Sequence, residues 1–274
     1  MTDATSSASP VTEMNPRNFL VRGLLAGLIA GLLAFAVAYT VGEPQVDAAI
    51  AVEEAAAAHE AEHAENPPAD GHTHDDTGTE VSRANQSTWG LATGTLAVGI
   101  TLGGVVGLAS AFAVGRIGRL RPSQSTALVA FVGFVAVGLV PFLKYPSTPP
   151  AVGNPDTIAS RTLEYFSMQG ISVLAAIGAV LLARRLLASR STYQAIVVSA
   201  GSYLMVVIVA ALLLPTVNEI GDFPADTLWY FRVASLLTIT TMWAAIGVVL
   251  TGLVGRLYER ESQTAARRDL AASL

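Results

Sequence analysis

Cysteine is absent from the 274 residues, and lysine occurs once, at Lys144. Without thiols there are no disulfides, thiolate metal centres or cysteine nucleophiles. The single lysine is not framed by G-x-x-x-x-G-K, so no nucleotide-binding loop of that type is present. Charge of either sign is scarce. Asp, Glu, Lys and Arg make up 14% of the chain, against about a quarter in an ordinary soluble domain. Histidine is missing from almost the whole chain, because all four copies lie between His59 and His74. No HExxH pair occurs, and no Ser-His-Asp set can be drawn from the rest of the sequence. No catalytic residue, tightly bound cofactor or nucleic-acid partner is therefore expected.

What fills the chain instead is apolar. Hydrophobic residues account for 52%, and the mean hydropathy is +0.51. Six stretches, near 19–41, 89–114, 124–143, 163–187, 195–215 and 228–254, reach the roughly 20 residues that a helix needs to cross a bilayer. They are apolar all round, unlike a soluble amphipathic helix. The expected fold is all-α: a polytopic membrane bundle of about six transmembrane helices.

The arginines orient it. Arg17, Arg22, Arg116, Arg119, Arg121, Arg184, Arg185, Arg190, Arg256, Arg260, Arg267 and Arg268 fall at one set of helix ends. Only Arg83, Lys144, Arg161 and Arg232 fall at the other. Short loops rich in Arg and Lys stay in the cytoplasm, so both termini are expected inside a multi-pass protein of the cell membrane. Acids are distributed the opposite way. Of the 21 Asp and Glu, 16 lie on the expected outer side, 11 of them from Glu43 to Glu80. Such a face concentrates cations.

Three regions are expected along the chain: a disordered cytoplasmic N-terminus (1–16), an integral membrane domain (17–261) with an outer loop at 43–88, and a frayed cytoplasmic tail (262–274). The sequence "AVA" at 36–38 fits a signal-peptide cleavage site, and cleavage there would leave five spans. Gly23, Gly27 and Gly31 favour retention, since small residues at four-residue spacing let helices approach closely in lipid. The Gly-rich run "GITLGGVVGLASAFAVG" also lies inside a span and reads as helix packing. Residues 45–65 are Ala/Glu-rich and predict a separate helix, with Pro44 before it and Pro67-Pro68 ending it. Spans 3–4 and 5–6 look like a weak parallel repeat, because each hairpin exits at a proline and re-enters with an aromatic pair, Tyr165-Phe166 and Tyr230-Phe231.

Two places could carry chemistry. On the Ala-rich helix, His59 and His63 are four residues apart, with Glu62 flanking the same face. His72 and His74 follow beside Asp75 and Asp76. Imidazole and carboxylate at these spacings can hold a transition-metal ion, cobalt, nickel and zinc alike. The other place is the outer ends of the last four helices, where Lys144, Asp156, Arg161, Glu164, Asn218, Glu219, Asp222, Asp226 and Arg232 gather. They can serve as structural ion pairs or as a cation vestibule, with Asn218, Glu219 and Asp222 as the candidate path residues. No span has an ionisable group near its middle. The candidates there are Met168, Gln169, Ser199, Ser202, Thr238, Thr240, Thr241 and Met242, and Ser and Thr commonly bond their own helix.

Taken together, "RGLLAGLIAGLLAF", "GEPQVDAAIAVEEA", the His-rich loop, "GRIGRL", "LVPFLKYPSTPPAVGNPDT" and "LLPTVNEIGDFPADTLWYFRVASL" resemble the CbtA family of cobalt-transporter membrane subunits, over about residues 17–258. The resemblance implies cobalt uptake linked to cobalamin, with a small one-span, His-containing partner subunit. It also implies five spans where six are counted here.

The leading reading is thus a membrane subunit of a divalent transition-metal uptake transporter, with cobalt the expected ion, whose outer His-rich loop captures the ion and binds it only transiently. The bilayer is its medium, and a homo-oligomer is compatible with it. The alternative is a membrane metal sensor or scaffold that binds without transport. A membrane enzyme rests only on the Glu219 and Asp222 carboxylates. The topology can be measured directly. Reporters inserted between Arg116 and Arg121, and between Arg185 and Arg190, are expected to read as cytoplasmic. A reporter within 64–81 is expected to read as external; the reverse pattern overturns the orientation.

Overall fold

The structure is a computed structural model that describes residues 15–63, 82–118, 120–150 and 152–273; of residues 60–63 only the backbone is described. Among these residues there is no strand. Six helices are long and apolar enough to cross a membrane. The first, α1, runs Pro16–Val37, passes through a π-helical turn at Ala38–Gly42 and continues as Glu43–His63. The others are α2 (Arg83–Ala113), α3 (Pro122–Lys144), α4 (Ile158–Leu186), α5 (Thr192–Leu213) and α6 (Ala225–Ala272). The end of the bundle bearing the 64–81 connection is called the loop face, and the opposite end the terminal face.

Two helices outrun any bilayer. The 48 residues of α6 span about 72 Å at 1.5 Å per residue, against roughly 30 Å of hydrocarbon. The tail expected to fray is therefore helical through Ala272. Its Ala, Arg, Glu and Gln content gives it strong intrinsic helix propensity. Likewise, no break separates the first span from the Ala/Glu-rich helix. Pro44 has no N–H to give and its ring crowds the preceding turn. The helix accommodates it by widening just before it: the Glu43 N–H bonds back five residues to the Ala38 carbonyl. The same device recurs in α3, where the Val140 N–H reaches the Val135 carbonyl immediately before Pro141. A π-turn thus carries each chain through a proline that would otherwise stop or kink it.

Among the described residues, the tightest helix–helix contact is α1 against α2. Gly23, Gly27 and Gly31 mesh with Gly99, Gly103 and Gly107 in antiparallel order. A Cβ on Gly27 would fall 2.8 Å from the Cα of Ile100, one on Gly103 2.6 Å from the Cα of Gly27, and one on Gly107 2.6 Å from the carbonyl oxygen of Phe19. Backbone touches backbone, which in lipid replaces the hydrophobic drive that a soluble bundle would use. With α1 at the heart of this contact, the first helix is an integral part of the bundle. Helix α6 lies across α1 and α3, and its Ile246, Leu250 and Val254 are fully buried among Phe19, Ala26, Ala30, Ala34 and Ala130. The Trp243 indole fills the α3–α6 gap, where a Cβ on Gly133 would lie 2.8 Å from its ring.

A second, smaller core joins the other face of α3 to the α4–α5 hairpin. It consists of Ala136, Met168, Ala176, Tyr203, Val207 and Ala210. Helix α5 packs mainly on α4 and leaves Ile196, Leu204, Met205, Ile208 and Leu212 exposed. The bundle therefore has a glycine-sealed half, α1–α2–α3–α6, and a more loosely attached half, α3–α4–α5.

The two halves make contrasting predictions for glycine. Valine at Gly27 or Gly103 is expected to separate α1 from α2 and cut the yield of folded protein in detergent, as overpacking by more than about 1–3 kcal/mol does. Alanine at Gly94, which has open space around it, is expected to be neutral or to stabilise by up to about 1 kcal/mol through helix propensity. Thermal denaturation of the purified variants reads both.

Candidate functional site

The histidines come first. His59 lies exposed on the distal part of α1. Glu62 and His63 continue the same unbroken helix, so the backbone supplies the i, i+3, i+4 frame of the expected chelating face. His72, His74, Asp75 and Asp76 lie outside the described residues. Among the described residues, no group of three or more His, Asp or Glu comes together as a metal cluster.

The base of this loop is pinned. Arg83 at the start of α2 bonds Glu43, and its Nε and Nη2 reach Asp47 Oδ1 at 3.2 and 2.9 Å. One guanidinium thereby ties α2 to two carboxylates one turn apart on α1. These two acids are occupied as structural partners. A half-exposed pair of this kind contributes about 1 kcal/mol or less, but it fixes where the connection leaves and re-enters the bundle.

Farther round the loop face, the connection after α3 is clamped to the connection after α5. Lys144 Nζ donates to the Leu214 carbonyl at 3.2 Å, and the Tyr145 hydroxyl donates to the Pro215 carbonyl at 2.8 Å. Glu219 Oε2 accepts from the Asn154 N–H at 2.8 Å and faces Arg161 Nε at 3.5 Å. Arg161 in turn donates to the Asn154 carbonyl at 3.1 Å. Gly153 makes room for it: its φ is +113°, and a Cβ there would sit 2.8 Å from the guanidinium carbon. Of the three candidate path residues, Glu219 is thus engaged in this clamp, whereas Asn218 and Asp222 are exposed in the same connection. Asp226 accepts from the Thr227 N–H at the start of α6.

The Asn154 backbone N–H, then the Thr157 hydroxyl and the Arg161 guanidinium, hold the Glu219 carboxyl below its ordinary value. The sign follows: a depressed folded value means the clamp is fully formed above the ordinary carboxylate range and is lost as pH falls through the folded value.

Inside the membrane, most hydroxyls bond their own helix. Ser202 reaches the Val198 carbonyl at 2.8 Å and Thr238 the Ala234 carbonyl at 3.0 Å. The α4–α5 seam is different. Ser172 Oγ and the Tyr203 hydroxyl share a hydrogen bond of 2.8 Å between helices. Met168, one turn from Ser172, is 1% exposed. Ser199, one turn from Tyr203, is buried and its hydroxyl has no hydrogen-bond partner. Glu164, one turn above Met168, has a buried carboxylate oxygen without a hydrogen-bond partner. Toward the terminal face the seam opens into a crevice of about 590 Å³ between α3, α4 and α5, with Ser199 and Tyr203 on its wall and Arg184 among its lining. The sequence marks Met168 and Ser199 but not the Ser172–Tyr203 pair. The one available signal was Ser172 at i+4 from Met168.

The family model described as "Probable cobalt transporter subunit (CbtA)" matches residues 16–255, most of the chain and all six spans. No curated protein and no solved structure matches significantly. The chain belongs to the CbtA family.

The clamp can be followed by hydrogen exchange. Glu219→Ala is expected to speed exchange of the Asn154 amide at pH 7. In the unaltered protein, protection corrected for intrinsic rate is expected to persist from pH 7 to pH 5 and to fall only below the ordinary carboxylate value of 4.5.

Proposed function

We propose that this member of the CbtA family is the membrane subunit of a cobalt uptake system, with its loop face outside the cell and its acidic, His-bearing connection serving to capture the ion. The family match across all six spans carries the reading. The description as a subunit implies a partner, and the small one-span, His-containing protein expected from the sequence is the candidate.

The chemistry supports the division of roles. Neutral imidazole is a strong ligand for first-row divalent ions. His59 is exposed on the helix, and residues 62 and 63 share its face by spacing. The eleven acids from Glu43 to Glu80 raise the local cation concentration, although Glu43 and Asp47 are spent on Arg83. The arginine-rich terminal face belongs in the cytoplasm. Nickel and zinc share the ligand preference, so selectivity rests on geometry rather than donor type.

Uptake of radioactive cobalt by cells or proteoliposomes containing the chain and its partner tests this reading. Replacing His59, His63, His72 and His74 with alanine together is expected to raise the half-saturating cobalt concentration several-fold while leaving the maximal rate largely intact. An unchanged concentration dependence argues against loop capture. Cobalt binding with no flux by the intact system replaces the transporter with a sensor or scaffold.

A further inference from the structure

We infer that the cation crosses the membrane along the α4–α5 seam, past Glu164, Met168, the Ser172–Tyr203 pair and Ser199, and not between α1 and α2. This rests on the transport reading above.

Four observations converge on it. First, ligand-type atoms recur at one-turn intervals along one face of α4, as Glu164, Met168 and Ser172, and along α5, as Ser199 and Tyr203. Each step of four residues advances about 6 Å, so the donors form a ladder from the loop face toward mid-membrane. Second, both ends of that ladder carry an unsatisfied polar atom, a Glu164 carboxylate oxygen and the Ser199 hydroxyl. Buried polar groups are normally paired, and in lipid an unpaired one is costly. Third, the ladder runs into space: beyond Tyr203 the crevice between α3, α4 and α5, apolar except for Ser199, Tyr203, Thr192 and Arg184, opens toward the terminal face. Fourth, the α1–α2 interface offers no route, and the crevice between α3 and α6, lined by Thr240 and Thr251, has no carboxylate among its residues. Between α1 and α2 the backbones touch, with no room for a Cβ.

The donor set also suits passage rather than storage. A carboxylate at the entrance offsets part of the ion's charge. The thioether and hydroxyls beyond it are neutral, so each binds a partly hydrated dication weakly enough to let it move on. The Ser172–Tyr203 hydrogen bond closes the seam between the Glu164–Met168 entrance and the crevice. Opening it exchanges one hydrogen bond for two oxygen donors facing the ion.

The competing explanation is that the pair is only interhelical glue. The test separates the two. Met168→Leu keeps volume and packing, and Glu164→Gln keeps shape while removing charge. Both are expected to lower the maximal rate of cobalt uptake about tenfold or more at unchanged protein level and melting temperature, an effect of about 1.4 kcal/mol or more on the barrier. The lack of native cysteine provides a second readout. Glu164→Cys and Ser199→Cys, one at a time, are expected to react with a membrane-impermeant thiol reagent added from the loop face and the terminal face respectively, with cobalt slowing the reaction. Leu204→Cys and Leu212→Cys on the exposed α5 surface are expected to stay unreactive. Normal uptake by Met168→Leu and Glu164→Gln overturns the route while leaving transport standing, as does equal labelling of seam and surface positions. Absence of uptake by the unaltered protein with its partner instead removes the transport reading beneath it.

Discussion

The rest of the structure depends on the contact between two glycine faces. Lipid offers a helix no gain from burying leucine against leucine, so association must come from close packing and from polar contacts that lipid cannot supply. Gly23, Gly27 and Gly31 of α1 against Gly99, Gly103 and Gly107 of α2 bring two backbones together over about two turns. Once that pair is fixed, α6 lies across α1 with its Ile246–Leu250–Val254 ridge on the alanines of α1, and α3 closes the group through the Trp243 indole. The α4–α5 hairpin has no such glycine face. Ala-sized and hydroxyl-bearing residues hold it, and among the described residues it packs on the rest mainly through α3. Rigidity in one half thereby permits looseness in the other.

The loop face shows the same economy. Arg83 and Glu219 are single side chains that each tie together segments far apart in sequence, 40 residues for Arg83 to Glu43 and 65 for Glu219 to Asn154. Both clamps sit where helices leave the membrane, the level at which charges remain wet enough to be tolerated. The Arg83 clamp holds the base of the His-bearing connection, and the Glu219 clamp holds the two exits that flank the α4–α5 hairpin. A carboxylate bound by a backbone N–H and facing a guanidinium is a poor free ligand, which leaves the exposed Asn218 and Asp222, and the unsatisfied oxygen of Glu164, as the oxygen donors nearby that the clamp does not engage.

Local features were legible in the sequence, and pairings were not. The six spans follow from hydropathy alone, since each is a continuous apolar run. The spacing of Gly23, Gly27 and Gly31 announces a packing face, and the run from Gly99 to Gly115 announces another, but nothing local says that they pack on each other. Pro44 reads as a helix break, because the rule for proline is local; the i−5 hydrogen bond that rescues it is invisible until the turn is seen. The helical tail to Ala272 was hidden by its polarity rather than by its propensity. The Ser172–Tyr203 bond joins residues 31 apart, and Glu219 becomes a clamp only when Asn154 and Arg161 arrive beside it.

Capture and passage place opposite demands on ligands, and the proposed function assigns the histidines, all between His59 and His74, to capture alone. A site that gathers a scarce ion must bind it well, and imidazole with carboxylate does so; but strong binding slows release, and the rate of a conduction step is limited by its slowest release. A histidine placed mid-membrane would also have to be kept neutral at a desolvation cost. Separating the functions resolves both problems. At a rise of 1.5 Å per residue, His59 stands about 18 Å along α1 from the clamped Asp47, more than two Debye lengths at physiological salt. At that distance an ion captured at His59, as proposed, feels little direct attraction from the clamp. On the proposed route the spans then need only donors of low affinity, and beyond the Glu164 carboxylate the α4–α5 seam offers the neutral Met168, Ser172, Tyr203 and Ser199.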